Sequence, residues 1–492
     1  MIALRPYQEE AVERVRRAIR DGRRRILLTL PTGAGKTATG SHILAAALMK
    51  GSRSMFVAHR TEIIDQTVST FYRFGVTQLG VVRAKDPRRN ESQPIQVCSI
   101  ATLARRAHLR DIKVVVIDEC HRSCAATYKQ HLFDAYPEAV FLGLTATPVR
   151  ADGKPLGEQW QELVQGARYS ELIEGGHIVA PLVYSTPVLP DLATVHTSQG
   201  DYDQKELEEA VNRRALIGDL LTQWQKLHGG RRTVAFAVSV AHSKAIVDVF
   251  RGAGIRAEHL DGTTPEDERR AMLERLRTHE TQLVSQCAVL QEGWDQPECK
   301  CLLIARPTKS LGLWMQMAGR CLRPWSPMPS ESSVQPLILD HGGNYDRHDA
   351  PHLDREWSLT AKPKKAGVAP TKMCPECYAY VGASAAVCEH CGYVFVVKET
   401  KPPAPIPVDL ALRTLMGEDA QLSFFRRTAK KARERGRMYG WVAHEFSRRF
   451  GVDVPREWMR ALKEDYRRDV EWQEAKRARD PIREAYAQRG DA

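Results

Sequence analysis

The chain has 492 residues, 43% of them hydrophobic and 27% charged, which is enough apolar material for more than one core and excludes a small stapled scaffold. A formal charge of +12 points to a polyanionic partner, because Lys and Arg that neutralise phosphates release condensed counterions. No apolar run reaches the roughly 18 residues of a membrane helix and the opening residues lack a secretory apolar stretch, so the expectation is a soluble, cytoplasmic chain.

From residue 1 to about 185, helix-length segments alternate with short β-branched runs at 26–30, 54–58, 95–99, 114–117 and 140–144. Such runs read as buried parallel strands in a βαβ succession, hence a doubly wound α/β domain. A polar stretch interrupts the pattern and is read as a linker over 186–215. The pattern resumes at 234–237, 257–260, 282–290, 301–305 and 336–340, predicting a second α/β lobe over 216–345. Residues 346–371 read as a second linker, 372–395 as a four-cysteine module, and 396–492 as a Pro-rich lead into a basic helical tail.

Directly after the first strand comes Pro31-Thr32-Gly33-Ala34-Gly35-Lys36-Thr37, followed by a helical pattern. Small residues let backbone N–H groups converge on phosphate oxygens, the helix adds its positive end, and Lys36 reaches the β and γ phosphates. Thr32, Gly33, Ala34, Gly35, Lys36 and Thr37 are therefore candidate nucleotide ligands, with the Thr37 hydroxyl on Mg²⁺. Leu30 stands where the general phosphate-loop pattern has its first glycine.

The run Val114-Val115-Val116-Ile117-Asp118-Glu119-Cys120-His121 delivers two carboxylates at a strand's C-terminal end, the edge at which open α/β sheets bind ligands. Asp118 is the expected Mg²⁺ ligand and Glu119 the group that polarises the attacking water. Charge developing on the γ phosphoryl needs cations, and Arg320 and Arg323 stand three apart, on one helix face.

Cys374-Pro-Glu-Cys377 and Cys388-Glu-His-Cys391 are paired knuckles whose spacing suits four thiolates around one Zn²⁺; His390 is an alternative ligand and iron shares the same geometry. A closed shell of four thiolates leaves no open position for water, so the expected role is structural or recognition. Residues 421–450 hold nine Lys or Arg against Glu434 and Glu445, interleaved with Phe424, Phe425, Tyr439, Trp441, Phe446 and Phe450. Arg426, Arg427 and Lys430 are candidate nucleic-acid contacts; a small helical domain with an aromatic core and a solvated basic face fits the same residues.

Taken in order, these segments resemble superfamily 2 helicases, in particular the RadD-like bacterial and phage group, over nearly the whole chain. Arg5-Pro6-Tyr7-Gln8 is similar to the adenine-reading segment, 31–37 to motif I, Ala58-His59-Arg60 to motif Ia, 99–103 to motif Ib and Asp118-Glu119-Cys120-His121 to motif II. Thr145-Ala146-Thr147-Pro148 resembles motif III, Leu260-Asp261-Gly262 and Glu292-Gly293-Trp294-Asp295 motifs IVa and V, and 316–323 motif VI. The resemblance implies two tandem RecA-like domains followed by a zinc ribbon. It puts Gln8 and Arg5 at adenine and Asp295 near the ribose or γ phosphate. Thr145 and Thr147 would couple hydrolysis to lobe movement, and His59, Arg60 and Thr102 would lie on the nucleic-acid backbone. Gln316, Arg320 and Arg323 would be catalytic, the arginines as fingers.

Cys120, where many relatives carry a small residue, is expected to be packed rather than reactive. The implied activity is an ATP-driven, Mg²⁺-dependent helicase or translocase of a bacterium or its phage, acting on single-stranded, forked or branched nucleic acid, with DNA favoured and repair or replication proteins as partners. Hydrolysis used for remodelling or annealing without strand separation, and an ATP-gated clamp or scaffold, are the alternatives. Intact Glu119, Arg320 and Arg323 argue against the clamp.

Overall fold

Seven strands form the first sheet: β1 (Arg25–Thr29), β2 (Arg53–Ala58), β3 (Leu79–Val82), β4 (Ile95–Ser99), β5 (Ile112–Asp118), β6 (Val140–Thr145) and β7 (Glu162–Gln165). Their order is β3-β4-β2-β5-β6-β1-β7, with every neighbouring pair parallel. Val115, Val116 and Ile117 are fully buried, as expected of a strand covered on both faces. The computed structural model describes residues 3–106, 108–150, 156–186, 189–198, 200–290, 294, 296–327, 333–360, 364–365, 371–395, 418–434, 439–450 and 453–464.

The second sheet is also parallel and contains β8 (Leu182–Ser185), β11 (Arg232–Phe236), β12 (Ala257–Leu260), β13 (Leu283–Gln286), β14 (Cys299–Ile304) and β15 (Leu337–Asp340), in the order β12-β13-β11-β14-β15-β8. Leu182–Ser185 thus belongs to the second lobe, and the boundary drawn after residue 185 moves ahead of it. The expected linker 186–215 contains a short hairpin, β9 (Thr197–Ser198) with β10 (Asp201–Tyr202), and the helix Gln204–Val211, whose N-cap Asp203 accepts from the N–H groups of Lys205 and Glu206.

The described residues of the expected linker 346–371 are likewise folded. After the helix Asn344–His348 the chain returns to the first lobe: Asp354 accepts from Ser170 N at 3.2 Å and its hydroxyl at 2.6 Å, Arg355 O accepts from Gln165 Nε2 at 3.0 Å, and Leu359 O accepts from Gly157 N at 2.9 Å. Arg355 is buried, donating to the carbonyls of His348, Ala350 and Leu353. A two-residue hairpin, β16 (Arg355–Glu356) with β17 (Lys364–Lys365), follows this strap.

The cysteine module is built on the hairpin β18 (Thr371–Met373) and β19 (Tyr380–Gly382). It adds to the second lobe's edge strand β8: Tyr184 bridges Ala379, and Ser185 N donates to Tyr378 O at 3.0 Å. Tyr345 stacks on Tyr380 at 3.7 Å between centroids. Residues 1–396 and 397–492 are separate compact units. In the latter, the helices Glu418–Glu434 and Tyr439–Phe450 and a helix over 456–464 enclose Phe425, Ala432, Val442, Phe446 and Leu462. Among the described residues no helix is long and apolar enough to cross a membrane.

Candidate functional site

β5, β6 and β1 lie side by side, so their C-terminal ends place three loops together: the acidic pair, Thr145 to Thr147, and residues 31–37. Gly33 and Gly35 adopt φ of +89° and +76°, a region side chains rarely enter, which lets the loop curl its amides toward one point. The helix Lys36–Met49 starts directly from Gly35. Lys36 is pulled below the usual lysine range by burial and pushed back by the carboxylates of Glu119 and Asp118, while Arg320 and Arg323 oppose it. The five charged residues expected to do the chemistry therefore share one electrostatic site.

Glu119 has φ of +46°, a strained conformation for a non-glycine residue directly after the strand's last residue. His121 Nδ1 lies 3.4 Å from Glu119 Oε2 and 3.2 Å from Thr145 Oγ1, and Thr145 Oγ1 both donates to Thr147 O and accepts from Thr147 N at 3.1 Å. A polar chain thus runs from the acidic pair to Thr147. It ends at the second lobe, since a Cβ on Gly312 would stand 3.3 Å from Thr147 Oγ1. Sequence reading had not given His121 a role. Its place two residues after Glu119 was the available signal. Cys120 is fully buried against Gly143 and Trp160, and burial pushes its thiol far up, so it is a packed side chain.

The second lobe reaches this loop directly. A Cβ on Gly319 would fall 2.4 Å from Thr32 Cβ, so the end of the helix Leu311–Ala318 tolerates nothing larger than glycine against the phosphate loop. Arg323 lies over Gly33, its Cγ 3.3 Å from where a Cβ would be, and burial lowers it to about 10. Arg320 donates to Trp294 O at 2.6 Å; Gln316 is buried on the helix Leu311–Ala318, whereas Arg320 and Arg323 lie past its end, in the turn that follows, and not on one helix face as their spacing suggested. Asp295 lies outside the described residues.

Gln8 and Tyr7 sit against the loop from the other side. Gln8 Nε2 donates to Ala34 O at 3.1 Å and Gly35 O at 3.4 Å, its Oε1 accepts from Arg5 N at 2.9 Å, and Tyr7 hydroxyl donates to Ala34 O at 3.1 Å. Gln8 therefore holds the loop's carbonyls in this structure. Tyr7 and His177 form a ring pair at 5.2 Å that sequence reading had not foreseen.

The residues assigned to nucleic acid divide. His59 and Arg60 follow β2, while Thr102 follows β4, at the same sheet edge as the phosphate loop. Arg60, however, donates across the cleft to Ala288 O at 3.4 Å and Val289 O at 3.1 Å, beside a Glu62–Arg269 ion pair of 2.5 Å. Thr102 Oγ1 accepts from Ala84 N at 3.3 Å. In the separate C-terminal unit Arg426, Arg427 and Lys430 are exposed, while Phe425 and Phe446 fill the core, so basic face and aromatic core coexist.

Cys374, Cys377, Cys388 and Cys391 bring their sulfurs within 4.8 Å of one another, with the Cys374–Cys391 and Cys377–Cys388 pairs at 3.7 Å. Bonds of about 2.3 Å to a tetrahedral zinc require sulfurs about 3.8 Å apart, so the cluster fits such an ion. Thr37 at the head of its helix and Asp118 at the end of β5 supply the hydroxyl and carboxylate oxygens that suit Mg²⁺.

Two family descriptions match the chain: "Type III restriction enzyme, res subunit" over residues 1–150 and "Helicase conserved C-terminal domain" over 212–324. A 51.5 kDa protein of a Lactococcus phage is 28% identical over 395 residues, 78% of this chain and 82% of the phage protein. A Saccharomyces cerevisiae protein named for an ATP-dependent helicase, IRC3, is 27% identical over 339 residues, 65% of this chain but only 49% of the yeast protein. Among solved structures, a fragment of an HsdR-type subunit of a type I restriction enzyme from Vibrio vulnificus superposes with a TM-score of 0.54 at 19% identity, covering 71% of this chain and 67% of that one.

Proposed function

We propose that the chain is a superfamily 2 helicase, a motor that couples ATP hydrolysis to movement along DNA or to separation of its strands, in DNA repair or replication. The observation that carries this reading is the contact of Gly319 and Arg323 with the phosphate loop: one lobe holds the loop and the other supplies the arginine over it. A nucleotide bound there bridges the lobes, and its hydrolysis removes the bridge. Thr37 and Asp118 would hold Mg²⁺, which would supply neutralisation of phosphate charge. Around it Lys36 grips phosphate oxygens, Glu119 takes the proton of the attacking water, and Arg320 and Arg323 meet the charge that develops on the γ phosphoryl, with Gln316 behind them. Asp295 is assigned to the nucleotide by motif resemblance.

His59, Arg60 and Thr102 are proposed to meet the backbone once Arg60 is released from Ala288 and Val289, and the restriction-enzyme names of relatives favour DNA over RNA. Zn²⁺ is proposed for the four thiolates, as a structural ion. The test is steady-state ATP hydrolysis alone and with single-stranded, duplex and forked DNA and with RNA, beside Lys36→Ala and Glu119→Gln. We expect stimulation by DNA, lost in Lys36→Ala, and turnover reduced about 10²-fold or more in Glu119→Gln with ATP binding retained. Hydrolysis indifferent to every nucleic acid would overturn the motor reading.

A further inference from the structure

Lys300 is the second residue of β14 and only 1% exposed. Buried lysines need partners, and its ammonium donates to two main-chain carbonyls, Cys321 O at 3.1 Å and Arg323 O. Between them, Leu322 O accepts from Val179 N at 2.8 Å. Three successive carbonyls just past the helix Leu311–Ala318 are thus pinned, and the side chain that leaves this pinned segment toward Gly33 is Arg323. Burial draws Lys300 below the usual lysine range, yet Cys299, Cys321 and Glu298 nearby favour its charged form.

We propose that Lys300 is a positioning residue for ATP hydrolysis: its ammonium clamps the backbone of residues 321–323 from behind and so seats Arg323 over the phosphate loop. The inference rests on reading Arg323 as the arginine that meets the γ phosphoryl. A cation that touches only carbonyls contributes through geometry, and a displacement of about 1 Å at a catalytic group can cost about 10²-fold in rate. The lysine stem also fills the interior beneath the segment, so methionine, which keeps the volume and removes charge and donors, is the informative replacement.

The experiment compares full-length wild type, Lys300→Met, Lys300→Arg and Arg323→Ala by DNA-stimulated kcat and KM for ATP, by affinity for the non-hydrolysable analogue AMP-PNP, and by trapping with ADP and aluminium fluoride. Lys300→Met should lose about 10- to 100-fold in kcat and in trapping while KM and AMP-PNP affinity stay within about threefold. Lys300→Arg, which keeps charge and donors, should recover most of the kcat. If Arg323→Ala hydrolyses normally, the underlying reading of Arg323 fails. If Arg323→Ala is impaired but Lys300→Met is not, the Lys300 proposal alone is overturned. Loss of AMP-PNP affinity in step with kcat would also overturn it, by assigning Lys300 to general integrity.

Discussion

Asp86 carries a side chain with no solvent exposure, bridged to Arg83 at 2.6 Å and Arg88 at 2.7 Å, and both arginines also hold Asp65. Hydrogen bonding from Arg88 is the chief reason its carboxyl is lowered to about 2 from 3.8. Because the folded value lies below the unfolded one, the stabilisation is complete above about pH 4 to 5 and is lost as pH falls through 2. Asp86→Asn should therefore cost roughly 2 kcal/mol at pH 7, measured by urea unfolding, with the deficit shrinking toward pH 2. A deficit independent of pH would show that the carboxylate's charge is irrelevant. Neutral asparagine can still hydrogen bond, which limits the loss.

This network was not legible in the sequence, where Asp65, Arg83, Asp86 and Arg88 form no local pattern, whereas the strand-loop-helix that carries Thr32 to Thr37 and the strand end that carries Asp118 and Glu119 were. Phosphate chemistry fixes the order of those residues along a single strand-loop-helix, so the pattern is local. Arg60 shows the opposite case. Its type suits a phosphate, but its bonds to Ala288 and Val289 depend on how two lobes face each other, which no local spacing encodes.

At the level of elements, most strands that sequence reading located carry continuous runs of Val, Ile and Leu, the mark of burial on two faces, although β12, with Glu258 and His259 half-buried, was found without one. The ones it missed lack that signature. β3 is short and contains Gly80, and β7 is an edge strand, mostly half-buried. β8 was assigned to the wrong lobe since adjacency in sequence does not decide which sheet a strand joins. Its pairing with the cysteine module yields a prediction. Removing metal from the protein with a chelator, or substituting Cys388→Ser, should lower the melting temperature and speed hydrogen exchange at Ser185, whose N–H reaches Tyr378, while ATP binding at Lys36 persists. Unchanged exchange at Ser185 would mean that the module holds its shape without the ion.

Across the whole molecule, positive charge is distributed between a core that would grip a strand and a separate C-terminal unit with its own core. Reversing Arg426, Arg427 and Lys430 to glutamate should weaken DNA binding and flatten the dependence of log K on log salt by up to about 0.9 per lost phosphate contact. An unaltered slope would confine that unit to another task. The basic segment was visible from composition, and an aromatic core with a solvated basic face was one of its two readings, which the packing of Phe425, Phe446 and Trp458 beside exposed Arg426, Arg427 and Lys430 bears out.

The strap after His348 changes what kind of motion the core can make. The chain passes from the first lobe to the second near Val179, comes back to the first at Asp354 and crosses once more to pair Ala379 with Tyr184 of β8, so the lobes are joined through three separate covalent passages. A body tethered at one point can swivel in any direction. Each added tether removes some of those freedoms. A nucleotide that closed the cleft would therefore move the lobes along fewer directions than a single connection would allow.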